Sequence, residues 1–152
     1  MEAYGPNGTA LLVEVVTNNR NRSTSEIRHI LSKNNGKLAT GGSVQWLFER
    51  QGLIQINQDA ITDKEGFELQ AIDAGATDID FEEQKAFVYV DPQNLQETQR
   101  AFGDMGYTTE VGLVWVAKES IEVDESSQKS LQKIFEALDE HEDVQEVYTN
   151  AS

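Results

Sequence analysis

Short apolar runs alternate with amphipathic segments along this chain, and each run is long enough for only one strand or one helix. The run from Thr9 to Val16 is aliphatic and β-branched and is bounded by Gly, Pro and Asn, which predicts a buried strand. Ser23 and Glu26 have the spacing of a capping box, which predicts that a helix begins there and ends at Asn34-Asn35-Gly36. The buried stripe of this helix is predicted to be Ile27, Ile30 and Leu31. The alternation favours a mixed α/β fold.

The stretch from Ser43 to Asn57 predicts a β-hairpin that turns at Gln51-Gly52. Its large residues alternate as a half-buried hairpin requires; they are Val44, Trp46, Phe48, Ile54 and Ile56. Trp46 and Phe48 would share one face of a strand. Packing in the core is the favoured interpretation of both rings, and a stacking platform for single-stranded nucleic acid is the alternative.

Residues 59–118 repeat a similar order of elements. The predicted elements are a helix from Asp63 to Ala74, paired strands over Thr77–Phe81 and Ala86–Asp91, a helix opened by Asp91-Pro92, and a strand over Val111–Val116. The last block predicts an amphipathic helix followed by a strand over Val144–Tyr148. The apolar side of that helix is Leu131, Ile134, Phe135 and Leu138.

The order of these elements predicts two domains. Residues 1–58 give β-α-β-β and residues 119–152 give α-β, which together make the β-α-β-β-α-β order of a ferredoxin-like unit. We therefore predict an α/β protein of two small ferredoxin-like sandwiches. Residues 1–58 plus 119–152 form the split outer domain, and residues 59–118 form an inserted α/β domain.

The net charge of −15 is unevenly distributed. Residues 1–58 contain six Lys/Arg and four Asp/Glu, residues 59–118 contain four and thirteen, and residues 119–152 contain two and ten. So acidic a protein repels phosphate backbones, which disfavours nucleic-acid binding by the whole surface. Only the first third can present a locally basic face.

Composition and motifs also exclude several classes of protein. The chain has no cysteine, which rules out disulfides, thiolate catalysis and cysteine-ligated zinc. It has no apolar run of membrane-spanning length and no signal-peptide pattern at its start, so we expect a cytoplasmic protein without membrane contact.

No motif for catalysis is present. The chain lacks a P-loop, a dinucleotide-binding glycine motif and a nucleophile elbow, and His29 and His141 are predicted to lie on different helices. Asp78 and Asp80 alternate on a predicted strand and are interpreted as surface residues, because no third ligand is nearby. We expect no catalytic residues, no metal site, no cofactor and no small-molecule substrate.

Three segments resemble the YebC/PmpR family of probable transcriptional regulators, whose mitochondrial members activate translation. They are Tyr4 to Ser23 (YGPNGTALLVEVVTNNRNRS), Ser25 to Leu38 (SEIRHILSKNNGKL) and Gly42 to Gly52 (GSVQWLFERQG). The resemblance implies a non-catalytic regulator of gene expression that binds DNA or acts at the ribosome. It also implies a basic helical domain upstream of these segments, which this sequence lacks and which would supply most of the attraction for nucleic acid.

The polar loop before the first helix, together with that helix, is the candidate nucleic-acid-binding site. Arginine and asparagine bond phosphates and base edges, and a helix N-terminus adds free N–H donors. The candidate residues are Asn19, Arg20, Asn21, Arg22, Arg28, Lys33 and Lys37. The alternative is that these arginines pair with the protein's own carboxylates.

The acidic C-terminal helix offers a different kind of surface. It could dock a basic protein partner such as a ribosomal protein, or it could be a solvated face that maintains solubility. The alternative function for the whole chain is therefore a protein-interaction or oligomerisation module without nucleic-acid binding.

Overall fold

The structure, a computed structural model, describes all 152 residues. Its strands are β1 (Glu2–Tyr4), β2 (Ala10–Val15), β3 (Lys37–Leu38), β4 (Phe48–Asn57), β5 (Ala76–Glu82), β6 (Lys85–Val90), β7 (Glu110–Ala117) and β8 (Val144–Thr149). Its α-helices are α1 (Arg20–Lys33), α2 (Lys64–Asp73), α3 (Leu95–Asp104) and α4 (Glu125–Asp139). The strands form two four-stranded sheets, ordered β3-β1-β2-β8 and β5-β6-β4-β7, which confirms the mixed α/β class. None of the helices is long and apolar enough to cross a membrane.

The chain divides into two compact units. The outer unit comprises Met1–Glu49 and Trp115–Ser152, and the inner unit comprises Arg50–Val114. The domain boundaries expected from the sequence, at residues 58 and 119, stay a prediction.

The outer unit is built on strand β2, which pairs antiparallel with β1 on one side and with β8 on the other. Helices α1 and α4 pack on one face of this sheet because their apolar stripes and the alternate residues of β2 bury one another. The buried residues of this core are Ala3, Leu11, Val13, Ile27, Leu31, Leu131, Ile134 and Leu138. Leu12 lies between Leu11 and Val13 on β2 and belongs to a second cluster, together with Ala10, Val44 and Phe48.

The inner unit has its own core, centred on three aromatic rings. Phe67, Phe102 and Tyr107 lie with ring centroids 5.6 to 6.1 Å apart, within the range of favourable aromatic contacts. Alternate residues of β4 and β6 supply the aliphatic side of this core; they are Ile54, Ile56, Ala86, Val88 and Val90.

The hairpin predicted over Ser43–Asn57 is wrong. Gln45–Leu47 form a short 3-10 turn, and β4 then continues through Gly52 and pairs with β6. Gly52 serves close packing instead of a turn, since a β-carbon there would lie 2.9 Å from Val90 Cγ2. The first sheet is completed instead by β1 and β3, which were not expected, so the ferredoxin-like topology of the outer unit is not confirmed.

The start of helix α1 also differs from the prediction. The helix begins at Arg20 with Asn19 as its N-cap, so Ser23 lies inside the helix. The Asn19 side chain accepts a hydrogen bond from the Arg22 N–H at 3.1 Å. This bond caps the first turn of the helix, which lies N-terminal to Ser23. The Ser23 hydroxyl instead donates to the Asp143 carboxylate at 2.6 Å, and its oxygen lies 3.2 Å from the Asn19 carbonyl oxygen. The predicted capping box is therefore wrong.

Gly52→Ala tests the close approach of β4 to its neighbours. We expect this variant to lose about 1–3 kcal/mol of unfolding free energy, because the new methyl group must displace Val90 and Leu95. Gly112→Ala in β7 is the matched control, since no atom lies within 4 Å of its new β-carbon. Urea denaturation of both variants is the measurement, and equal midpoints would contradict the packing role of Gly52.

Candidate nucleic-acid interface

Two arginines of helix α1 line one open cleft in the outer unit. Arg20 and Arg28 are spaced i, i+8, with Thr24 between them at i+4, so all three lie on one side of the helix. The cleft has a volume of about 750 Å³ and also contains Gln45 and Gln145. Two helical turns separate the arginines by about 12 Å along the axis. This places two exposed guanidinium groups along one surface.

The wall of this cleft is not uniformly basic. Glu2 and Glu14 also line it. The Glu2 carboxylate accepts backbone hydrogen bonds from Gly42, from Val44 at 2.9 Å and from Gln45 at 2.7 Å. Burial opposes ionisation of Glu2, but these donors outweigh it and hold the pKa of Glu2 below its usual value. The carboxylate therefore stays ionised and anchors the segment from Gly42 to Gln45.

Arg22 lies in an internal ion-pair network. Its guanidinium is 2.9 Å from Asp143 and 3.4 Å from Glu26. His141 continues the network, with Nε2 at 2.7 Å from Glu26. His141 follows α4 and does not lie on a helix as predicted. Arg22 therefore pairs with the protein's own carboxylates, which was the alternative to nucleic-acid binding. The structure has no ion pair at Arg20 or Arg28.

The remaining candidate residues are not gathered at the cleft. Asn19 is occupied as the N-cap of α1, and Asn21 is exposed in its first turn. Lys33 lies in the last turn of the helix, and Lys37 lies on β3, where its ammonium is 5.8 Å from the Tyr4 ring centroid. Of the seven candidates, the structure brings together Arg20 and Arg28.

Sequence reasoning did not identify Thr24 and Gln45 as residues of this surface. The i, i+4, i+8 spacing of Arg20, Thr24 and Arg28 was available in the sequence and could have selected one side of the helix. The predicted strand over Ser43–Asn57 does not bring Gln45 to this surface, whereas the 3-10 turn does.

Trp46 and Phe48 do not share a strand face, and the core interpretation is wrong for Trp46. Phe48 is buried at the start of β4, but Trp46 lies in the 3-10 turn and is 66% exposed. The turn rotates the two side chains away from each other, which an extended strand would not do. Asp78 bonds its neighbouring backbone at Ile79, and no group of three or more His, Cys, Asp or Glu is arranged to hold a metal ion.

Comparison with known proteins assigns the chain to a family. The family model described as TACO1/YebC second and third domain matches residues 1–151. The chain belongs to the TACO1/YebC family. The relatives of this YebC-family chain include probable transcriptional regulatory proteins from Kosmotoga olearia and Fervidobacterium nodosum, 40% and 44% identical over 149 residues. These alignments cover 98% of this chain and 59% of each relative, so it spans about three fifths of their length.

A solved structure has the same fold. The crystal structure of a conserved hypothetical protein, Aq1575 from Aquifex aeolicus, superposes with a TM-score of 0.92 at 34% identity. It covers 99% of this YebC-family chain and 63% of the Aquifex chain.

Asp143→Asn tests the network that holds the start of α1. Hydrogen bonds from Ser23 and the charge of Arg22 hold the pKa of Asp143 below its usual value. The ionised carboxylate therefore stabilises the fold above about pH 4, and this contribution is lost as the pH falls through the lowered pKa. We expect the variant to have a lower melting temperature than wild type at pH 7. The difference between the two melting temperatures should disappear in acid.

Thermal unfolding followed by circular dichroism at several pH values measures this difference. Asp139→Asn, at an exposed position on α4, is the control and should melt like wild type at neutral pH. A penalty for Asp143→Asn that does not change with pH would contradict an electrostatic role.

Proposed function

We propose that this chain is the nucleic-acid-contacting part of a non-catalytic, cytoplasmic regulator of gene expression. The observation that supports this best is the contrast within helix α1. Arg22 is neutralised by Asp143 and Glu26, whereas Arg20 and Arg28 line an open cleft without an ion-pair partner. Guanidinium groups in this state are available for bidentate bonds to phosphate.

The charge distribution limits what kind of contact this is. The whole chain carries −15 and repels a phosphate backbone at long range, so binding depends on the short-range contacts of the cleft. The relatives extend beyond the matched residues, and the resemblance implies that a basic domain upstream supplies most of the attraction. In this proposal the arginine cleft orients the nucleic acid after that domain has attracted it.

Alanine substitution at the two arginines tests the contact. We expect Arg20→Ala and Arg28→Ala each to weaken nucleic-acid binding and to reduce the slope of log affinity against log salt by about one unit, because each removes one phosphate contact. Fluorescence anisotropy of a labelled oligonucleotide at several salt concentrations is the measurement. Arg100→Ala, an exposed arginine of α3, is the control that should leave the slope unchanged.

The target of the regulator is either promoter DNA or ribosomal RNA, and sedimentation of cell lysates separates the two. We expect tagged protein carrying the upstream residues of its relatives to migrate with ribosomes after DNase treatment if the target is ribosomal. If the Arg20→Ala/Arg28→Ala variant no longer migrates with ribosomes, the cleft is the ribosome-binding surface. Protein that stays at the top of every gradient would contradict the ribosomal role and leave DNA as the target.

One observation favours a protein-interaction role as the second candidate function. Helix α2 has apolar residues on both sides: Phe67 and Ala71 are buried, whereas Leu69 and Ile72 are 66% and 59% exposed. The inner unit around them has four Lys/Arg and thirteen Asp/Glu. An exposed apolar patch surrounded by charge is typical of a protein-binding surface.

Self-association is the simplest form of this second role. If it applies, we expect wild-type protein to form dimers as its concentration rises and Leu69→Gln/Ile72→Gln to remain monomeric. Analytical ultracentrifugation measures this, with Val16→Gln, at an exposed position in the outer unit, as the control. A monomeric wild type at all concentrations would contradict oligomerisation.

A further inference from the structure

Trp46 is the most conspicuous side chain on the outer unit that the arginine cleft does not use. Its indole is 66% exposed, although tryptophan is among the residues that gain most from burial. The Phe, Tyr and other Trp rings of this unit are buried or half-buried, including Phe48 two residues later. Such exposure leaves the face of the ring accessible to a ligand.

The exposed indole is held in one orientation. Its Nε1–H donates to the Ser43 carbonyl at 2.9 Å. The turn that carries it is closed by a bond from the Leu47 N–H to the Val44 carbonyl, also at 2.9 Å, and is anchored by the Glu2 carboxylate. The single polar atom of the ring is therefore satisfied within the protein. What the ring offers to a ligand is its π face, with little loss of side-chain freedom on binding.

A small depression lies beside this ring. It has a volume of about 280 Å³ and is lined by Trp46, Leu47, Lys118, Glu119, Ile121 and Asn150. This is below the roughly 300–1,000 Å³ of ordinary small-molecule sites, so it suits one flat group better than a whole ligand. Lys118 adds an exposed ammonium group that can bond a phosphate next to such a group.

The depression is continuous in sequence with the arginine cleft. Gln45 lines the cleft, and Trp46, the next residue, lines the depression. The turn from Gln45 to Leu47 thus carries residues of both sites, and a nucleic-acid strand bound at Arg20 and Arg28 would pass Gln45 to reach the indole. A peptide is a poorer match, because the indole N–H that would bond a peptide carbonyl is already engaged with Ser43.

We propose that Trp46 stacks on an unpaired nucleobase, so that the ligand of this surface is single-stranded nucleic acid or an RNA loop. This rests on the proposed function, and it deepens that function by specifying the state of the bases. Bases inside a duplex are stacked on each other and offer no free face, whereas unpaired bases stack on exposed aromatic side chains. Stacking tolerates any base, so Trp46 contributes affinity without strict sequence preference.

Two substitutions distinguish stacking from simple packing. Trp46→Phe keeps an aromatic face, whereas Trp46→Leu keeps an apolar side chain but removes the ring. We expect Trp46→Leu to weaken binding of a mixed-sequence twelve-nucleotide single-stranded RNA about five- to a hundredfold, as expected for one stacked base. Trp46→Phe should retain most of the affinity, and a blunt duplex of the same sequence should bind wild type more weakly than the single strand.

Tryptophan fluorescence provides an independent readout. The chain has two tryptophans, so the signal of Trp46 is the difference between titrations of the wild type and of Trp46→Phe. We expect the RNA to quench this difference signal in parallel with the anisotropy of labelled RNA, because a stacked base quenches the indole directly. Thermal unfolding of both variants controls for misfolding.

Each other outcome overturns the inference. Stacking would be refuted if Trp46→Leu bound RNA as tightly as wild type and RNA did not quench the Trp46 signal. It would also be refuted if wild type bound the duplex as tightly as the single strand. Either result would leave the arginine cleft as a binding site. Absence of binding to any oligonucleotide, also by protein that carries the upstream residues of its relatives, would refute the proposed function and the stacking role together. Quenching by a basic amphipathic peptide but not by RNA would reassign the depression to protein docking.

Discussion

Strand β2, near the start of the chain, pairs with strand β8, near its end, and the outer unit depends on this pairing. The register from Leu11↔Thr149 to Val15↔Val144 positions β8, and with it the preceding helix α4, whose residues Leu131, Ile134 and Leu138 complete the core against α1. The same arrangement brings Asp143 to Ser23 and Arg22 at the start of α1. The direction of α1, and therefore of Arg20 and Arg28, follows from contacts made by the last segment of the chain.

The acidic composition and the arginine cleft are compatible because they act over different distances. The charge of −15 weakens attraction to any phosphate backbone from afar, and salt screens this effect beyond about 8–10 Å. Contacts at the cleft are much shorter and depend on geometry. In the proposed function, a surface of this kind would discriminate among nucleic acids that a separate source of positive charge has already brought nearby.

Much of the fold could be predicted from the sequence, because periodicity and local stop signals determine it. Helices α2 and α4, the β5–β6 hairpin and strand β7 follow their patterns closely. The segment from Val44 to Asn57 was misjudged because alternation is equally compatible with a hairpin and with one long strand, and Gly52 has a packing role that appears only when Val90 and Leu95 are adjacent. The two-residue strand β3 is too short to leave a periodic signal.

The candidate site was predictable only in part. The sequence indicated helix α1, but not which arginine would be neutralised, because Arg22 and Asp143 are separated by 121 positions. The exposure of Trp46 depended on a turn that hydrophobic alternation concealed. Long-range ion pairs and local departures from a regular strand are the two features that a single sequence conceals best.

The pairing of β2 with β8 has a consequence for biosynthesis. The Ala10 N–H bonds the buried Asn150 side chain at 2.8 Å, so the sheet of the outer unit is complete only when residues near 150 have left the ribosome. The inner unit, Arg50–Val114, has its own core and can form earlier. During translation, β2 can pair with β1, but its other edge stays unpaired and α1 stays uncovered by α4 until β8 and α4 are made. The apolar faces of both elements are open to chaperones or to misassembly during that time.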